Sequence, residues 1–170
     1  DSTSNLGRRR KRVAKMFLKD KFQKAHMRAA EVYAELSSAR RLHVGCVIVK
    51  NDTIIGIGYN GMPSGWDNNC ENEVYIDDFH IEMTTKPEVI HAEANALLFA
   101  KRDLSFCTLY STLMPCSRCA AMIIQSGIKR VVYLSDTHMN YAQNFGLSSL
   151  MFTEANVHCF KLGEEYYETH

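Results

Sequence analysis

The sequence lacks the features that mark several broad classes of protein. It contains no apolar run long enough to cross a bilayer, which argues against a membrane-spanning segment. Its 20 Lys and Arg residues nearly balance 19 Asp and Glu residues, so it has no general basic field of the kind that polynucleotide-binding proteins carry. It shows no secretory signal pattern, internal repeat or low-complexity segment. With 170 residues, 46% of them hydrophobic, it predicts a single globular domain with a real core.

Two short motifs carry most of the information about chemistry. They are His91-Ala92-Glu93 and the run Pro115-Cys116-Ser117-Arg118-Cys119. One imidazole and two thiolates suit Zn²⁺, and these three ligands leave the fourth tetrahedral position open for water. A zinc-bound water has a pKa of about 7, so Glu93 is predicted to be the base that takes its proton. This combination of motifs is the signature of zinc nucleobase deaminases.

The residues around both motifs predict that each one opens a helix. The first ligand helix is expected over Val89–Lys101, and the second over Cys116–Ser126 with Gly127 as its C-terminal stop. Pro115 is expected in the first turn of the second helix, where the missing N–H costs nothing. A structural zinc site, or two reduced cysteines beside an unrelated histidine, remains the alternative. A purely structural site would usually have a fourth protein ligand.

The remaining hydrophobic patterns predict a three-layer α/β/α domain with a mixed five-stranded sheet, because strands separated by helices imply parallel crossovers. The predicted elements are a helix over Val13–Leu36, a hairpin of Val44–Val49 and Thr53–Tyr59 turning at Asn51-Asp52, and a loop over Asn60–Gly65. They continue with a polar, irregular insertion over Trp66–Glu88, strands at Cys107–Leu113 and Lys129–Leu134, a helix over Asn140–Met151, and a last strand at Asn156–Leu162.

The chain is expected to divide into a short tail and one domain. Residues 1–12, with the basic run Arg8–Arg12, are interpreted as a disordered or expression-derived tail, and residues 13–170 as a single zinc-dependent deaminase domain. Six cysteines could form three disulfides. Because the metal site uses two of them as thiolates, a reducing, cytoplasmic setting is expected instead.

On these motifs, together with Val44-Gly45, the run Gly58–Gly65 and the run Ile123–Lys129, the chain resembles the deoxycytidylate deaminase branch of the cytidine deaminase-like superfamily. The similarity extends over roughly Met27 to Leu162. The resemblance implies hydrolytic conversion of dCMP to dUMP with release of ammonia, a step that supplies dUMP for thymidylate synthesis.

The resemblance also implies partners and further site residues. It implies a homohexamer that is activated by dCTP and inhibited by dTTP, each bound with Mg²⁺ at a site that includes Asn60, Gly61, Pro63 and Gly65. Asn60 also belongs to the substrate candidates, because related deaminases use an asparagine there to contact the sugar. The other substrate candidates are Val44, Ala92 through its N–H, and the carbonyls of Thr112, Leu113 and Met114. Arg40, Arg41 and His43 are candidates for the phosphate, and a solvated surface role is an equal alternative for each.

Two departures and two rival functions stay open. Some viral members bind a second zinc through a cysteine before the first strand, whereas this chain has Ser37–Arg41 there, so Cys70 alone does not predict a second zinc. After the strand at Val131–Leu134, many members have a tyrosine where this chain has Ser135–His138. A deaminase of tRNA or single-stranded DNA is one rival, supported by Arg8–Arg12. The other is a non-catalytic nucleotide sensor, against which the intact Glu93 argues.

Overall fold

The computed structural model describes residues 20–136 and 142–164. The basic run Arg8–Arg12, the beginning of the first predicted helix, and the end of the chain after residue 164 lie outside the described residues, as do Thr137 and His138. Among the described residues, none of the helices combines the length and the apolar composition that crossing a bilayer requires.

The elements follow one another in the predicted order, with one addition. They are α1 (20–34 in the described part), β1 (Gly45–Lys50), β2 (Thr53–Tyr59), β3 (Glu71–Asp77), β4 (His80–Thr85), α2 (Ala92–Ala100), β5 (Thr108–Leu113), α3 (Ser117–Gln125), β6 (Arg130–Ser135), α4 (Ala142–Glu154) and β7 (His158–Lys161). The addition is the pair β3 and β4, which lies between β2 and α2.

The main sheet has five strands in the order β2-β1-β5-β6-β7. β1 pairs antiparallel with β2 and β5, whereas β5, β6 and β7 run parallel, so the sheet is mixed as predicted. The β1–β2 hairpin turns at Asn51 and Asp52, both with left-handed backbone at φ 49° and 57°. Two consecutive left-handed residues form the type I′ turn that suits the twist of a tight hairpin.

Helices cover both faces of this sheet, which confirms the three-layer architecture. On one face, Met27 of α1 packs in a cluster with Val47 and Val132. On the other face, the helices α2, α3 and α4 pack against the neighbouring strand residues; Ala96, Ile123 and Phe152 contribute there beside Ile48, Leu109 and Val131. Successive strand residues point to opposite faces, so each strand serves both cores.

The prediction that the segment Trp66–Glu88 is irregular is wrong for residues 71–85, which form a hairpin. β3 and β4 form an antiparallel two-stranded sheet of their own, paired from Glu71 with Thr85 to Asp77 with His80. Strand alternation was hard to recognise because both faces are largely exposed and acidic side chains are interspersed with Val74, Tyr75 and Ile76. A half-buried strand gives a clear polar–apolar alternation, and this hairpin has no buried face to produce one.

Candidate metal centre and active site

The site is built at the first residues of two helices. His91 (φ −69°, ψ 154°) is the N-cap of α2, and Cys116 (φ −72°, ψ 171°) is the N-cap of α3. An N-cap side chain usually accepts a hydrogen bond from the backbone of the first turn. Neither His91 nor Cys116 does so, and both side chains are therefore available to a ligand.

Both helix starts differ in detail from the sequence prediction. α2 begins at Ala92 rather than Val89, because Ile90 exchanges two backbone hydrogen bonds with Gly61, at 3.1 and 2.8 Å, and is held extended. Pro115 lies one residue before the N-cap of α3, not inside its first turn. A proline tolerates either position, since neither requires its N–H to join the helix. The predicted end of α3 is confirmed, with Gly127 following it at φ 88°.

The three candidate ligand atoms converge. The Nδ1 atom of His91 lies 3.4 Å from each of the sulfur atoms of Cys116 and Cys119, and the three atoms lie within 4.8 Å of one another. Ligands bonded to zinc at about 2.0–2.3 Å in a tetrahedral arrangement lie roughly 3.5–3.8 Å apart. The spacing and the donor set therefore both fit zinc. This is the one such cluster within residues 20–136 and 142–164.

The local electrostatics favour a thiolate at the centre. The pKa of Cys116 is lowered to about 3, chiefly because the Cys119 thiol donates a hydrogen bond to its sulfur, with a further contribution from His91. The pKa of Cys119 is raised for the complementary reason, since it holds the proton that the pair shares. A divalent cation would displace that proton, because a metal ligand must be deprotonated.

Glu93 lies beside this cluster in the first turn of α2 and is only 4% exposed. The hydroxyl of Ser111 donates a hydrogen bond to its Oε1 at 3.0 Å. The pKa of Glu93 is raised, mainly because burial disfavours the charged carboxylate. A carboxyl group whose pKa moves up toward neutrality can both accept and donate a proton, as general acid–base catalysis requires.

A glycine on β2 sets the position of the helix that carries His91 and Glu93. A Cβ on Gly58 would lie 2.1 Å from the carbonyl oxygen of Ala92 and 2.5 Å from the amide nitrogen of Ala96. Both atoms belong to the backbone of α2, so no side chain could move aside. The absence of a side chain at Gly58 lets the first turn of α2 lie directly on the sheet.

Asn60 connects the loop after β2 to the segment before β1. Its Oδ1 accepts from the N–H of Val44 at 2.9 Å, and its Nδ2 donates to the carbonyl of Leu42 at 2.8 Å. Its carbonyl accepts from Ser37 at 2.8 Å, and the residue is 8% exposed. The next residue, Gly61, pairs with Ile90, which immediately precedes His91. The substrate candidates Asn60 and Val44 are therefore connected by hydrogen bonds to the segment that leads into α2.

The other substrate candidates are distributed around β5. Ala92 is buried at the start of α2, and Met114 is buried next to Pro115. The hydroxyl of Thr112 accepts from the N–H of Gly45 at 3.1 Å, which joins the ends of β1 and β5. Leu113, the last residue of β5, pairs with Ser135. These residues surround the two helix starts.

The three candidate phosphate residues already contact other parts of the chain. Arg40 lies 3.6 Å from Glu71 and 3.7 Å from Glu73. Arg41 donates to the hydroxyl of Thr85 at 3.0 Å, and a ring nitrogen of His43 lies 2.5 Å from the carbonyl of Ala39. The contacts of the two arginines tie the segment before β1 to the base of the β3–β4 hairpin, whereas that of His43 lies within the segment itself.

Cys70 lies near the serines that replace a cysteine before the first strand. Its sulfur is 3.7 Å from the hydroxyl of Ser38, and it is fully buried. Within the described residues, the one group of three possible metal ligands is that of His91, Cys116 and Cys119, and Cys70 does not belong to it. All six cysteines are described and all are free thiols, so the alternative of three disulfides is wrong.

A pocket of about 330 Å³ lies against the loop that follows β2. It is lined by Met62, Trp66, Asp67, Asn72, Lys86, Pro87 and Glu88. The last three residues lead within the chain to Ile90 and His91. The pocket therefore borders both the candidate regulatory loop and the segment that leads to His91, a candidate metal ligand. Gly65, in the same loop, has a left-handed backbone at φ 82°.

Sequence reasoning missed the two residues beneath Glu93. Ser111 and Cys46 are both fully buried, and they lie opposite each other in the pairing of β1 with β5. Burial, together with repulsion from Glu93, raises the pKa of the Cys46 thiol and keeps it neutral. One signal was available in the sequence. Ser111 is a polar residue at the same strand parity as the buried Leu109, and four residues before Pro115.

Comparison with known proteins agrees with this geometry. Residues 20–135 match the family described as the cytidine and deoxycytidylate deaminase zinc-binding region. The deoxycytidylate deaminase of Homo sapiens is 35% identical over 140 residues, which are 77% of this chain and 74% of that protein. An uncharacterized deaminase in the luxG 3' region of Aliivibrio fischeri is also 35% identical over 140 residues, covering 81% of this chain and 90% of the relative.

The solved structures include a close match in fold. The dCMP deaminase of cyanophage S-TIM5, in complex with dCMP and dUMP, aligns with a TM-score of 0.68 and 30% identity, covering 83% of this chain and 96% of that one. The family match covers more than half of this chain, and it includes both zinc-ligand motifs and Glu93. The protein therefore belongs to the zinc-dependent cytidine and deoxycytidylate deaminase family.

Proposed function

We propose that this protein is a zinc-dependent dCMP deaminase, which hydrolyses dCMP to dUMP and ammonia and so supplies dUMP for thymidylate synthesis. The observation that carries the proposal is the convergence of His91, Cys116 and Cys119 beside the buried carboxyl group of Glu93. The human and phage proteins described above, named as deaminases of deoxycytidylate, support dCMP as the substrate.

In the proposed reaction, the metal activates water, while residues of the chain transfer the proton and bind the substrate. Zinc bound by the three ligands supplies a Lewis acid that makes water a good nucleophile near neutral pH. Glu93 accepts the proton of the attacking water, delivers it to N3 of the cytosine ring, and then helps the amino group to leave as ammonia. The backbone N–H of Ala92 holds the base carbonyl, and the carbonyls of residues 112–114 accept from the exocyclic amine. Asn60 and Val44 lie toward the sugar.

An ammonia-release assay tests the substrate. The purified zinc-loaded protein is offered cytidine, CMP, dCMP and dCTP, together with a single-stranded DNA oligonucleotide and a tRNA. We expect the highest kcat/KM with dCMP. Preferential deamination of the oligonucleotide or the tRNA would support the polynucleotide deaminase instead. Binding of dTTP with no ammonia release from any substrate would support the non-catalytic sensor.

We further propose that dCTP activates and dTTP inhibits the enzyme, each with Mg²⁺, at the loop that carries Asn60, Gly61, Pro63 and Gly65. The pocket bordered by Met62 and Lys86 supports this proposal, because it offers space next to the loop, with Lys86 beside the carboxylates of Asp67 and Glu88 in its lining. A ligand there would act through Gly61 and Ile90, provided that it binds two conformations unequally. The effect of such a ligand would pass to His91 through the backbone pairing of Gly61 with Ile90, the residue before His91.

Substrate saturation curves test the regulatory loop. We expect dCTP and dTTP to change the midpoint or steepness for the wild type, and Gly65→Val to weaken that response, since a valine is strained at φ 82°. If dTTP changes neither parameter in the wild type, the regulatory proposal is wrong. If the variant responds to both effectors as the wild type does, the regulatory site is not built on this loop.

We also propose a homo-oligomer, by the family resemblance a hexamer, located in the cytoplasm. Exposed apolar side chains on the β3–β4 hairpin support association between copies, since Tyr75 is 70% exposed and Phe79 93%. The six free thiols, two of them candidate zinc ligands, support a reducing compartment. Light scattering of the purified protein measures the oligomeric state, and a monomer at all concentrations would contradict this proposal.

A further inference from the structure

The buried serine beneath the proposed proton carrier has no role in the chemistry described so far. Ser111 lies in β5 and is fully buried, on the side of the sheet that faces α2. Its hydroxyl donates to Oε1 of Glu93 at 3.0 Å. Position 111 has the same strand parity as Leu109, which is part of the hydrophobic core. A hydroxyl group at such a position costs free energy unless it is hydrogen-bonded, and here its partner is Glu93.

The two oxygens of the Glu93 carboxyl group are therefore not equivalent. Oε1 accepts the hydrogen bond of Ser111 from the sheet side, and the carboxyl group also contacts the thiol of Cys119 at the candidate metal centre. Glu93 must serve more than once in each cycle, first as a base and then as an acid. A side chain that is free to rotate would spend part of its time with neither oxygen in reach, whereas a hydrogen bond to a rigid strand restricts that rotation.

The support beneath Glu93 is rigid because the residue opposite Ser111 is also buried. Cys46 pairs with Ser111 across β1 and β5, and both are 0% exposed. Cys46 lies on β1, a central strand bonded on both sides to its neighbours. The Ser111 hydroxyl is therefore positioned by the sheet and not by a loop, and a site supported by a sheet is held more accurately than one on a flexible segment.

We propose that Ser111 is a positioning residue for the deamination reaction, which orients the Glu93 carboxyl group from the sheet side while Glu93 alone handles the proton. This inference rests on the proposed deaminase function. It goes beyond that function by assigning a role in turnover to a residue outside both zinc-ligand motifs. A purely structural role for Ser111 would affect folding stability and substrate affinity, whereas a positioning role affects kcat.

The test compares Ser111→Ala with Ser111→Thr and with Ser148→Ala. Serine and alanine differ by one oxygen atom, threonine keeps the hydroxyl, and Ser148 is an equally buried serine on α4. With dCMP as substrate, we expect Ser111→Ala to lower kcat by about 5- to 30-fold, which is less than the 10²–10⁴-fold that general acid–base catalysis typically contributes, because Glu93 itself is retained. We expect KM and the zinc content to stay within about twofold of wild type, Ser111→Thr to recover part of kcat, and Ser148→Ala to leave kcat unchanged.

Each result decides for or against the inference. It is overturned if Ser111→Ala keeps the wild-type kcat, if its loss appears only in KM, or if Ser148→Ala lowers kcat equally. If Ser111→Thr does not fold, Ser111→Cys takes its place as the variant that keeps a donor. A wild-type protein that releases no ammonia from dCMP would overturn the proposed function and this inference together. An active wild type with an unaffected Ser111→Ala would overturn the inference alone.

Discussion

Titratable side chains are buried at the starts of α2 and α3 but exposed to solvent on the β3–β4 hairpin. At the helix starts, Glu93 is 4% exposed and Cys119 1% exposed, and each lies within a few ångströms of other chemical groups. On the hairpin, Asp77 pairs with His80 at 2.8 Å, yet both side chains are more than half exposed. Burial shifts the pKa of Glu93 upward, whereas hydrogen bonds from Phe79 and His80 lower the pKa of Asp77.

The difference between these regions reflects the solvent that surrounds each group. A charge in water is screened and can be moved or removed at little cost, and a salt bridge there contributes little to stability. A carboxyl group removed from water responds strongly to each neighbour. We therefore expect substitutions at the helix starts to change chemistry by orders of magnitude, and substitutions on the hairpin to change association without changing turnover.

The largest effect is expected from loss of a metal ligand. Cys119→Ala removes one of the three proposed protein ligands, and we expect loss of zinc together with a fall in turnover of at least about 10³-fold, because a metal ion contributes several kcal/mol to such reactions. Elemental analysis and the ammonia assay measure both. Cys107→Ala is the matched control, since Cys107 is also a buried free thiol but lies outside the ligand cluster. Full zinc content in Cys119→Ala would contradict the ligand assignment.

Removal of the proton carrier should separate chemistry from metal binding. Glu93→Gln preserves the shape of the side chain and keeps an acceptor for Ser111, so zinc and fold are expected to be retained. Turnover should fall by about 10²–10⁴-fold or more, because the residue acts more than once per cycle. Glu154→Gln, at an exposed glutamate, serves as the control. A Glu93→Gln enzyme within tenfold of wild type would mean that another group carries the proton.

A methyl group at the contact between β2 and α2 should lower the stability of the fold without replacing any group proposed to act in catalysis. Gly58→Ala places a Cβ against the backbone of Ala92 and Ala96, and we expect the free energy of unfolding to fall by about 1–3 kcal/mol, as for other overpacked cores. Thermal unfolding measures this change. Gly61→Ala is the control for stability, because its Cβ would meet no atom within 4 Å. Equal melting temperatures for the two variants would show that α2 is not held by close contact with Gly58.

The smallest effect on the single chain is expected at the tip of the hairpin. Phe79 is 93% exposed, so Phe79→Ser should change the free energy of unfolding by no more than about 0.5 kcal/mol and leave kcat unchanged. If the hairpin joins copies of the chain, the same substitution should lower the apparent mass in light scattering. A fall in kcat without a change in mass would mean that the hairpin acts on the active site directly.

The accuracy of sequence-based prediction differed between parts of the chain for physical reasons. The β1–β2 hairpin was predictable because Asn51-Asp52 separates two apolar runs, and such a pair adopts the left-handed turn readily. The β3–β4 hairpin was not, because a strand pair exposed on both faces leaves no hydrophobic periodicity in its sequence. The N-terminal boundary of α2 was misplaced since a contact 29 residues away, between Ile90 and Gly61, holds its approach extended.

By itself, the sequence determined the family of this protein and the candidate residues for its chemistry. His91, Glu93, Cys116 and Cys119 stand at spacings that zinc coordination and a nearby proton carrier require, and such spacings remain visible because each motif is local. The tertiary structure alone decided what surrounds that chemistry. Ser111 contacts Glu93 only because the register of the sheet and the packing of α2 against it bring together residues 18 positions apart. Contacts of that kind depend on how strands and helices pack, and no local pattern in a single sequence records them.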